Sequence, residues 1–418
     1  MTTSRSLCPL QRSRQTTGGD AAWRRALVHS GLVYLFSRLC VFVGAAVVAA
    51  ELRADATKLA ADGPITAPWA DPHYADKVIG KNAIGPVLDV LTSWDGAWYM
   101  SIVNKGYPRT IQPNVTFDVL DARAAFFPAY PMLVRTMNHV IPGGAVTAGL
   151  LVNFILGAVA VLLIGVIARR LYGTDVAQRT MIIFAMFPGS LVLSLAYTEA
   201  LLITVAAGCL LCLMEERWLW AGVLAAIGTA ARPNGIALIG ACAVASFIAI
   251  RQRRDWWSLI CVALAPVGFI GFQLFLTHQT GESGVWFRVQ SEAWKEGTSF
   301  GMTAIRNTVD AFAHPLTSPT DTITAASMVV LGFLIYAASR YRLPWPIIAY
   351  CAGIVFLMLA PSTVTARPRF LLTAFPLFIS AAAYLQHHRR ELWPYMIGAC
   401  AAGLVGLTGL YGVLGAIP

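Results

Sequence analysis

Residues 145–168 read AVTAGLLVNFILGAVAVLLIGVIA, and Arg169 and Arg170 follow at once. The run carries no charged side chain over 24 residues. A helix of that length rises about 36 Å, more than the roughly 30 Å hydrocarbon core of a bilayer. The whole chain has the same character: of 418 residues, 57% are hydrophobic and 12% charged. That is about half the charge of a soluble protein, and mean hydropathy is +0.63. These values exclude a soluble enzyme, a disordered chain and a small disulfide-stapled domain. The net charge of +10 does not call for nucleic acid, because membrane proteins concentrate Lys and Arg on cytoplasmic loops.

Working outward, apolar runs predict about eleven spans, within a range of nine to thirteen. They lie at 27–50, 145–168, 180–197, 199–214, 218–231, 235–250, 257–277, 323–339, 344–360, 370–385 and 393–415. Several middle runs fall at or below the usual minimum of about 17 residues, which points to tilted or re-entrant segments. The first run follows Arg5, Arg12, Arg14, Arg24 and Arg25 and is long enough to stay in the membrane, unlike a cleaved signal. With the N-terminus inside and Arg38 counted there, the inside segments hold 17 basic and 6 acidic residues, net +11. The remainder holds 14 basic and 15 acidic residues, net −1. The expectation is therefore a plasma-membrane, multi-pass, all-α protein with a cytoplasmic N-terminus. Residues 1–26 form a cytoplasmic basic tail, and 27–415 form one transmembrane domain. Seven of the eight cysteines lie in apolar runs, so the Cys209-x-x-Cys212 pair reads as packing.

Two extracytoplasmic segments, 51–144 and 278–322, are too long for turns. They carry Trp69, Trp94, Trp98, Tyr99, Tyr107, Phe126, Phe127, Trp286 and Trp294. Disordered linkers lack such residues, so ordered structure at the outer membrane surface is expected. The densest stretch is Ser93-Trp94-Asp95-Gly96-Ala97-Trp98-Tyr99. Read as a helix, it puts Asp95, Trp98, Tyr99 and Ile102 on one face. A carboxylate among aromatic rings suits a sugar site, since rings stack on sugars and the acid accepts a hydroxyl proton. The same residues also fit a helix N-cap followed by an interfacial aromatic belt, and both readings stay open. Asp118 and Asp121, farther along, read as a solvated acidic patch. Carboxylates bind divalent cations, but this spacing assigns no metal site, and no cofactor is expected.

The order of motifs resembles one known family. Trp94-Asp95-Gly96-x-Trp98-Tyr99, Gly106-Tyr107 and Phe126-Phe127-Pro128-x-Tyr130-Pro131 come first. Phe187-Pro188-Gly189-Ser190 with Tyr197-Thr198-Glu199-Ala200-Leu201 follows, then Arg232-Pro233-Asn234-Gly235, Gln290-x-x-x-Trp294, and Arg367-Pro368-Arg369-Phe370 with Phe375-Pro376. Together they are similar to the PIG-V type of mannosyltransferase, the second mannosyltransferase of GPI-anchor synthesis and its bacterial relatives. Pro233 stands where that family usually has Ser, and the Gln290–Trp294 block is altered.

The resemblance implies a GT-C glycosyltransferase fold and a polyprenyl-phosphate-mannose donor. It implies a lipid-linked or cell-envelope glycan acceptor outside a bacterial membrane, and inverting chemistry with Asp95 as base. Arg232, Arg367, Arg369, Arg123 and Lys105 are then candidates for the donor phosphate, which needs cationic donors in a dry site. Trp94, Trp98, Tyr99, Tyr107, Tyr197, Asn234, Gln290 and Trp294 are candidates for the sugar and acceptor. Arg232, between two apolar runs, reads either as a phosphate ligand or as a hairpin-tip Arg paired with Glu199. Glu199 reads as an alternative base, a sugar ligand or the group that orients an Arg. The rival functions are a flippase for a lipid-linked sugar, with a midplane site at the breaks around Pro188 and Pro233, and a non-catalytic partner of the same fold.

Overall fold

The quoted stretch becomes the Gly144–Tyr172 helix. Gly143 and Gly173, both at positive φ, bracket it, and Arg169 and Arg170 fill its last turn, where cations meet the negative end of the helix dipole. The computed structural model describes residues 17–62, 84–116, 122–363 and 365–413. Among these the regular structure is helical, apart from one antiparallel bridge between Thr298 and Pro361. Trp69, Asp118 and Asp121 lie outside the described residues.

Six described helices are long and apolar enough to cross a membrane: Gly19–Ala54, Gly144–Tyr172, Pro233–Arg253, Trp256–Thr280, Pro319–Arg340 and Arg390–Gly412. Glu199–Met214, Trp218–Ala231 and Trp345–Leu359 are apolar but shorter. The two remaining expected spans are broken. Residues 180–197 divide into Thr174–Met186 and the 3-10 segment Pro188–Leu193, because Pro188 cannot continue the helix. Residues 370–385 divide into Pro368–Thr373 and Pro376–His388 for the same reason. The segment after the first break packs on the start of the Pro368–Thr373 helix: a Cβ on Gly189 would run into the Pro368 carbonyl. Only glycine lets these backbones approach so closely.

Arg38 departs from the charge count made on the sequence. The first helix runs the 46 residues Thr17–Asp62, and Arg38 sits within it at 7% exposure. Its guanidinium donates to the Ser190 carbonyl (2.5 Å), Ser190 Oγ (2.7 Å), Ser194 Oγ (3.0 Å), the Ala185 carbonyl (3.2 Å) and Ser37 Oγ (3.2 Å). A broken helix in lipid must have its freed carbonyls satisfied internally. Arg38 does this at the Pro188 break. Asn153, inside the opening stretch, does it one turn of chain later, donating to the Leu195 (2.5 Å) and Tyr197 (2.6 Å) carbonyls.

The two long loops form one structure. Helices Gly85–Leu91, Asp95–Lys105 and Ala129–Met137 come from the first, and Val285–Trp294 and Met302–Ala313 from the second. The first span continues to Asp62, past the loop boundary expected at residue 51. Phe126, Phe127, Tyr130, Ile102, Phe272 and Val289 make a buried core between the loops. Trp286 Nε1 donates to the Ala125 carbonyl (3.1 Å), and Glu292 accepts from the Val115 amide (2.8 Å). The second loop is also tied to residues 360–363. Ser299 N donates to the Ala360 carbonyl (2.7 Å), and Glu296 accepts from Ser362 N (3.0 Å). These ties bring three distant stretches of sequence to one end of the bundle.

Candidate active site

Trp94 precedes the Asp95–Lys105 helix at φ 54°, ψ −126°, a conformation that costs a non-glycine residue of order 1–3 kcal/mol. Tyr411 holds it there: its hydroxyl donates to the Ser93 carbonyl (2.5 Å), and its own carbonyl accepts from Trp94 Nε1 (3.3 Å). The strained turn makes Asp95 the first helical residue. The N-cap reading of Asp95 therefore does not describe this structure. Trp94 occupies the cap, and no side chain caps the helix.

The Asp95 carboxylate instead meets Arg369. Arg369 Nη1 donates to Asp95 Oδ2 at 2.6 Å and lies 3.9 Å from Glu199 Oε1. Arg232 pairs with the same Glu199 oxygen. The result is a chain of alternating charge, Asp95–Arg369–Glu199–Arg232, with no net charge. Side-chain exposure falls from 16% at Asp95 to 0% at Glu199 and returns to 12% at Arg232. The Phe370 ring lies between the arginines, 4.9 Å from the Arg369 guanidinium and 5.6 Å from that of Arg232. Tyr197 underlies Arg369 at 5.6 Å, and its hydroxyl accepts from the Asp95 amide (3.3 Å). Oδ2 takes the Arg369 bond, and no partner among the described residues holds Oδ1.

These residues come together because the chain breaks where they sit. Glu199 opens its helix after the non-helical segment that Asn153 pins. Arg232 occupies an extended C-cap (φ −158°, ψ 157°) before Pro233. Gly235 there packs against the Gly228 carbonyl, leaving no room for a Cβ. Arg369 lies on the short Pro368–Thr373 helix.

A cavity of about 450 Å³ opens over this chain of charges, within the usual range for small-molecule sites. Asp95, Tyr99, Arg232, Asn234, Gln290, Trp294 and Arg369, all singled out from sequence, line it. Burial pushes the Tyr99 phenol well above its ordinary pKa, so it remains a hydroxyl donor. Phe126, Phe127, Trp286 and Phe370 give the cavity aromatic walls.

Other predicted residues are placed elsewhere. Glu199 lies behind the wall, under both arginines. Tyr197 and Trp94 support Asp95 from below. Trp98 stacks on Phe126 at 5.2 Å and backs the wall. Tyr107 packs against Phe272 and Phe275, and its hydroxyl donates to the Phe126 carbonyl (2.7 Å). Arg123 is buried and donates to the Gly106 carbonyl (2.5 Å), away from the cavity. Lys105 ends its helix exposed to solvent. Arg367 is buried beyond Arg369. Burial lowers its pKa to about 10, Arg369 adds to that, and Asp321 opposes it. Among the described residues, no group of three or more His, Cys, Asp or Glu is placed to hold a metal ion.

The structure adds residues that sequence reading missed. Tyr411 is an apolar-run aromatic with no local signal, and Phe370 was read only as the last residue of the Arg367–Phe370 motif, with no role of its own. Glu296 lines the cavity and fixes residues 362 and 363. Its one clue is that it follows Trp294 by two residues.

The family model described as Mannosyltransferase (PIG-V) matches residues 32–278, more than half of the chain. The chain belongs to the PIG-V mannosyltransferase family. The match takes in Asp95, Glu199 and Arg232, whereas Gln290, Trp294, Arg369 and Tyr411 lie beyond it. Among solved structures, the chain is similar to ArnT from Cupriavidus metallidurans bound to undecaprenyl phosphate. The identity is 15% and the TM-score 0.48, over 72% of this chain and 57% of ArnT. It is also similar to the Archaeoglobus fulgidus oligosaccharyltransferase in its apo form, at 12% identity and TM-score 0.40, over 91% of this chain and 56% of that one. The PIG-V chain thus spans a little over half the length of either protein. No curated protein matches it significantly in sequence.

Proposed function

We propose that this PIG-V family protein is a membrane glycosyltransferase acting on the extracytoplasmic face. It moves mannose from a polyprenyl-phosphate-mannose donor to a lipid-linked or cell-envelope glycan acceptor. The observation that carries the reading is Asp95: one oxygen is fixed by Arg369, the other has no partner among the described residues, and the residue lines an aromatic cavity that Arg232 also lines. The free oxygen takes the proton of the acceptor hydroxyl as that hydroxyl attacks the sugar C1. The bond from C1 to the phosphate oxygen breaks, and its electron pair leaves with the lipid phosphate. A single displacement inverts C1, so a β-linked donor gives an α-linked product.

Arg232 supports the phosphate end of this reading. It is the cation on the cavity wall whose partner, Glu199, is wholly buried, so a phosphate approaches it from the open side. Developing charge on the leaving phosphate is best stabilised by donors already in place. Arg369, held between two carboxylates, positions Asp95. Tyr99, Asn234 and Gln290 offer hydrogen bonds to sugar hydroxyls, and Trp294 offers a ring face. Glu199 lacks access to the cavity, which supports an orienting role over that of base. The excess of positive charge on the short loops at the other end of the spans supports an extracytoplasmic cavity and a cytoplasmic N-terminus.

The test is transfer of radiolabel from polyprenyl-phosphate-[³H]mannose to a membrane lipid extract by the purified protein. Label in a new glycolipid supports the reading. Label that crosses a vesicle membrane unchanged, with no new product, would replace it with the flippase.

A further inference from the structure

A second cavity lies at the far end of the bundle. On the Trp393–Gly412 helix, Tyr411 reaches the base of the active site. Trp393 is 18 residues earlier, about 27 Å along the helix axis. There Arg179, Arg390, Gln386, His29 and Trp393 line a polar cavity of about 250 Å³. The Thr17–Asp62, Thr174–Met186, Pro376–His388 and Trp393–Gly412 helices and the 3-10 turn Arg390–Leu392 supply them, and nothing in the proposed transfer reaction uses them.

The cavity has a fixed cation with an empty hand. The Arg179 guanidinium lies over the Trp393 ring, 4.3 Å from its centroid, which holds its plane in place. Its Nη1 is buried, and no acceptor meets it among the described residues. Buried polar atoms in native proteins nearly always have partners, so each exception calls for an explanation. A second exception is in the same cavity: the buried Gln386 Oε1 has no donor among the described residues. Asp175 is the one carboxylate on the wall, and no described ion pair neutralises Arg179 or Arg390. Burial lowers the Arg179 pKa, and the like charge of Arg390 lowers it further against a smaller opposing effect of Asp175.

We propose that this cavity binds a phosphate ester that carries a neighbouring hydroxyl. The phosphate oxygens accept from Arg179 and Arg390, in the charge-assisted geometry that guanidinium favours. The hydroxyl donates to Gln386 Oε1. The volume is below that of most small-molecule sites and suits a polyol-phosphate headgroup. Exposed apolar side chains adjoin lining residues along the chain: Val28 (65%) precedes His29, and Leu392 (46%) and Tyr395 (76%) lie next to or near Trp393. They would meet the acyl chains of a phosphoglycerol lipid; a free sugar or polyol phosphate shares the same polar chemistry.

The experiment uses the full-length protein in neutral detergent and follows thermal melting. The probes are dioctanoyl-phosphatidylglycerol, dioctanoylglycerol and inorganic phosphate, at matched ionic strength. Stabilisation by the phospholipid alone assigns the site to a lipid headgroup, and stabilisation by inorganic phosphate assigns it to phosphate from either source. In both cases Arg179→Gln and Arg390→Gln should weaken the apparent affinity about tenfold or more. Arg390 is exposed, so its variant should melt like wild type without ligand, which separates lost binding from lost folding. The proposal is overturned if neither phosphate probe stabilises the protein, if dioctanoylglycerol stabilises it equally, or if Arg390→Gln binds as wild type does.

Discussion

Glu199→Gln isolates the chain of charges beneath the active site. Glu199 is wholly buried and is the carboxylate that Arg232 pairs with, whereas Arg369 keeps Asp95 at 2.6 Å. The substitution therefore orphans one arginine and leaves the other paired. Removing one partner of a buried ion pair costs about 3–5 kcal/mol. A pair of charges about 4 Å apart at an effective dielectric near 20 gives about 4 kcal/mol, which agrees. Arg232 keeps 12% exposure toward the cavity, and water there returns part of the loss, so we expect about 3 kcal/mol. That shifts the unfolding equilibrium by more than about 100-fold. The assay is equilibrium unfolding in detergent micelles, followed by tryptophan fluorescence. Adding Arg232→Gln removes the orphaned charge, so the double variant should be more stable than Glu199→Gln alone. Two losses that simply add would refute the ion-pair reasoning, because independent sites are additive and coupled ones are not.

Three further outcomes follow from named contacts. Arg38→Leu removes four hydrogen bonds from the Pro188 break and should destabilise the protein by about 3 kcal/mol or more, read in the same unfolding assay; an unchanged midpoint would mean that water or lipid satisfies those carbonyls. Gly189→Ala drives a Cβ into the Pro368 backbone, displaces Arg369 and should cost transfer activity more than donor binding, a split visible in kcat against KM. Arg232→Gln should weaken donor binding about tenfold or more, the scale of one charged hydrogen bond; an unchanged apparent affinity in a donor titration would remove Arg232 from the phosphate site.

The bundle was legible because lipid imposes a simple rule. Every span must be apolar and must satisfy its own backbone, so apolar runs such as 145–168, 199–214 and 218–231 reappear as helices with bounds close to those read from sequence. The breaks at Pro188 and Pro376 were visible as prolines, but the close approach of Gly189 to the Pro368 backbone was not. Arg38 misled the charge count for a physical reason: a mid-span arginine bonded to carbonyls looks like a flanking one until its partners are known. Within the candidate site, Asp95, Arg232 and Arg369 stood out in the sequence because charged residues beside apolar runs are unusual, and the fold brings all three to one cavity. Tyr411 could not, since it is one aromatic residue in an apolar helix and its role comes entirely from where that helix ends. Arg123 and Lys105 looked equally suited to a phosphate by charge and loop. Burial against a carbonyl and exposure to solvent, respectively, set them apart from the cavity.

The central claim is that Asp95 is the base. Its direct test compares mannose transfer by wild type and Asp95→Asn, with donor binding measured alongside. Asn keeps the shape and a hydrogen-bonding oxygen near Arg369 but cannot take the proton. The expected result is a loss of transfer of at least the 10²–10⁴-fold typical of positioned acid–base groups, with a melting profile and donor affinity close to wild type. Transfer by Asp95→Asn at the wild-type rate would contradict the account and move the search for a base to the other groups on the cavity wall.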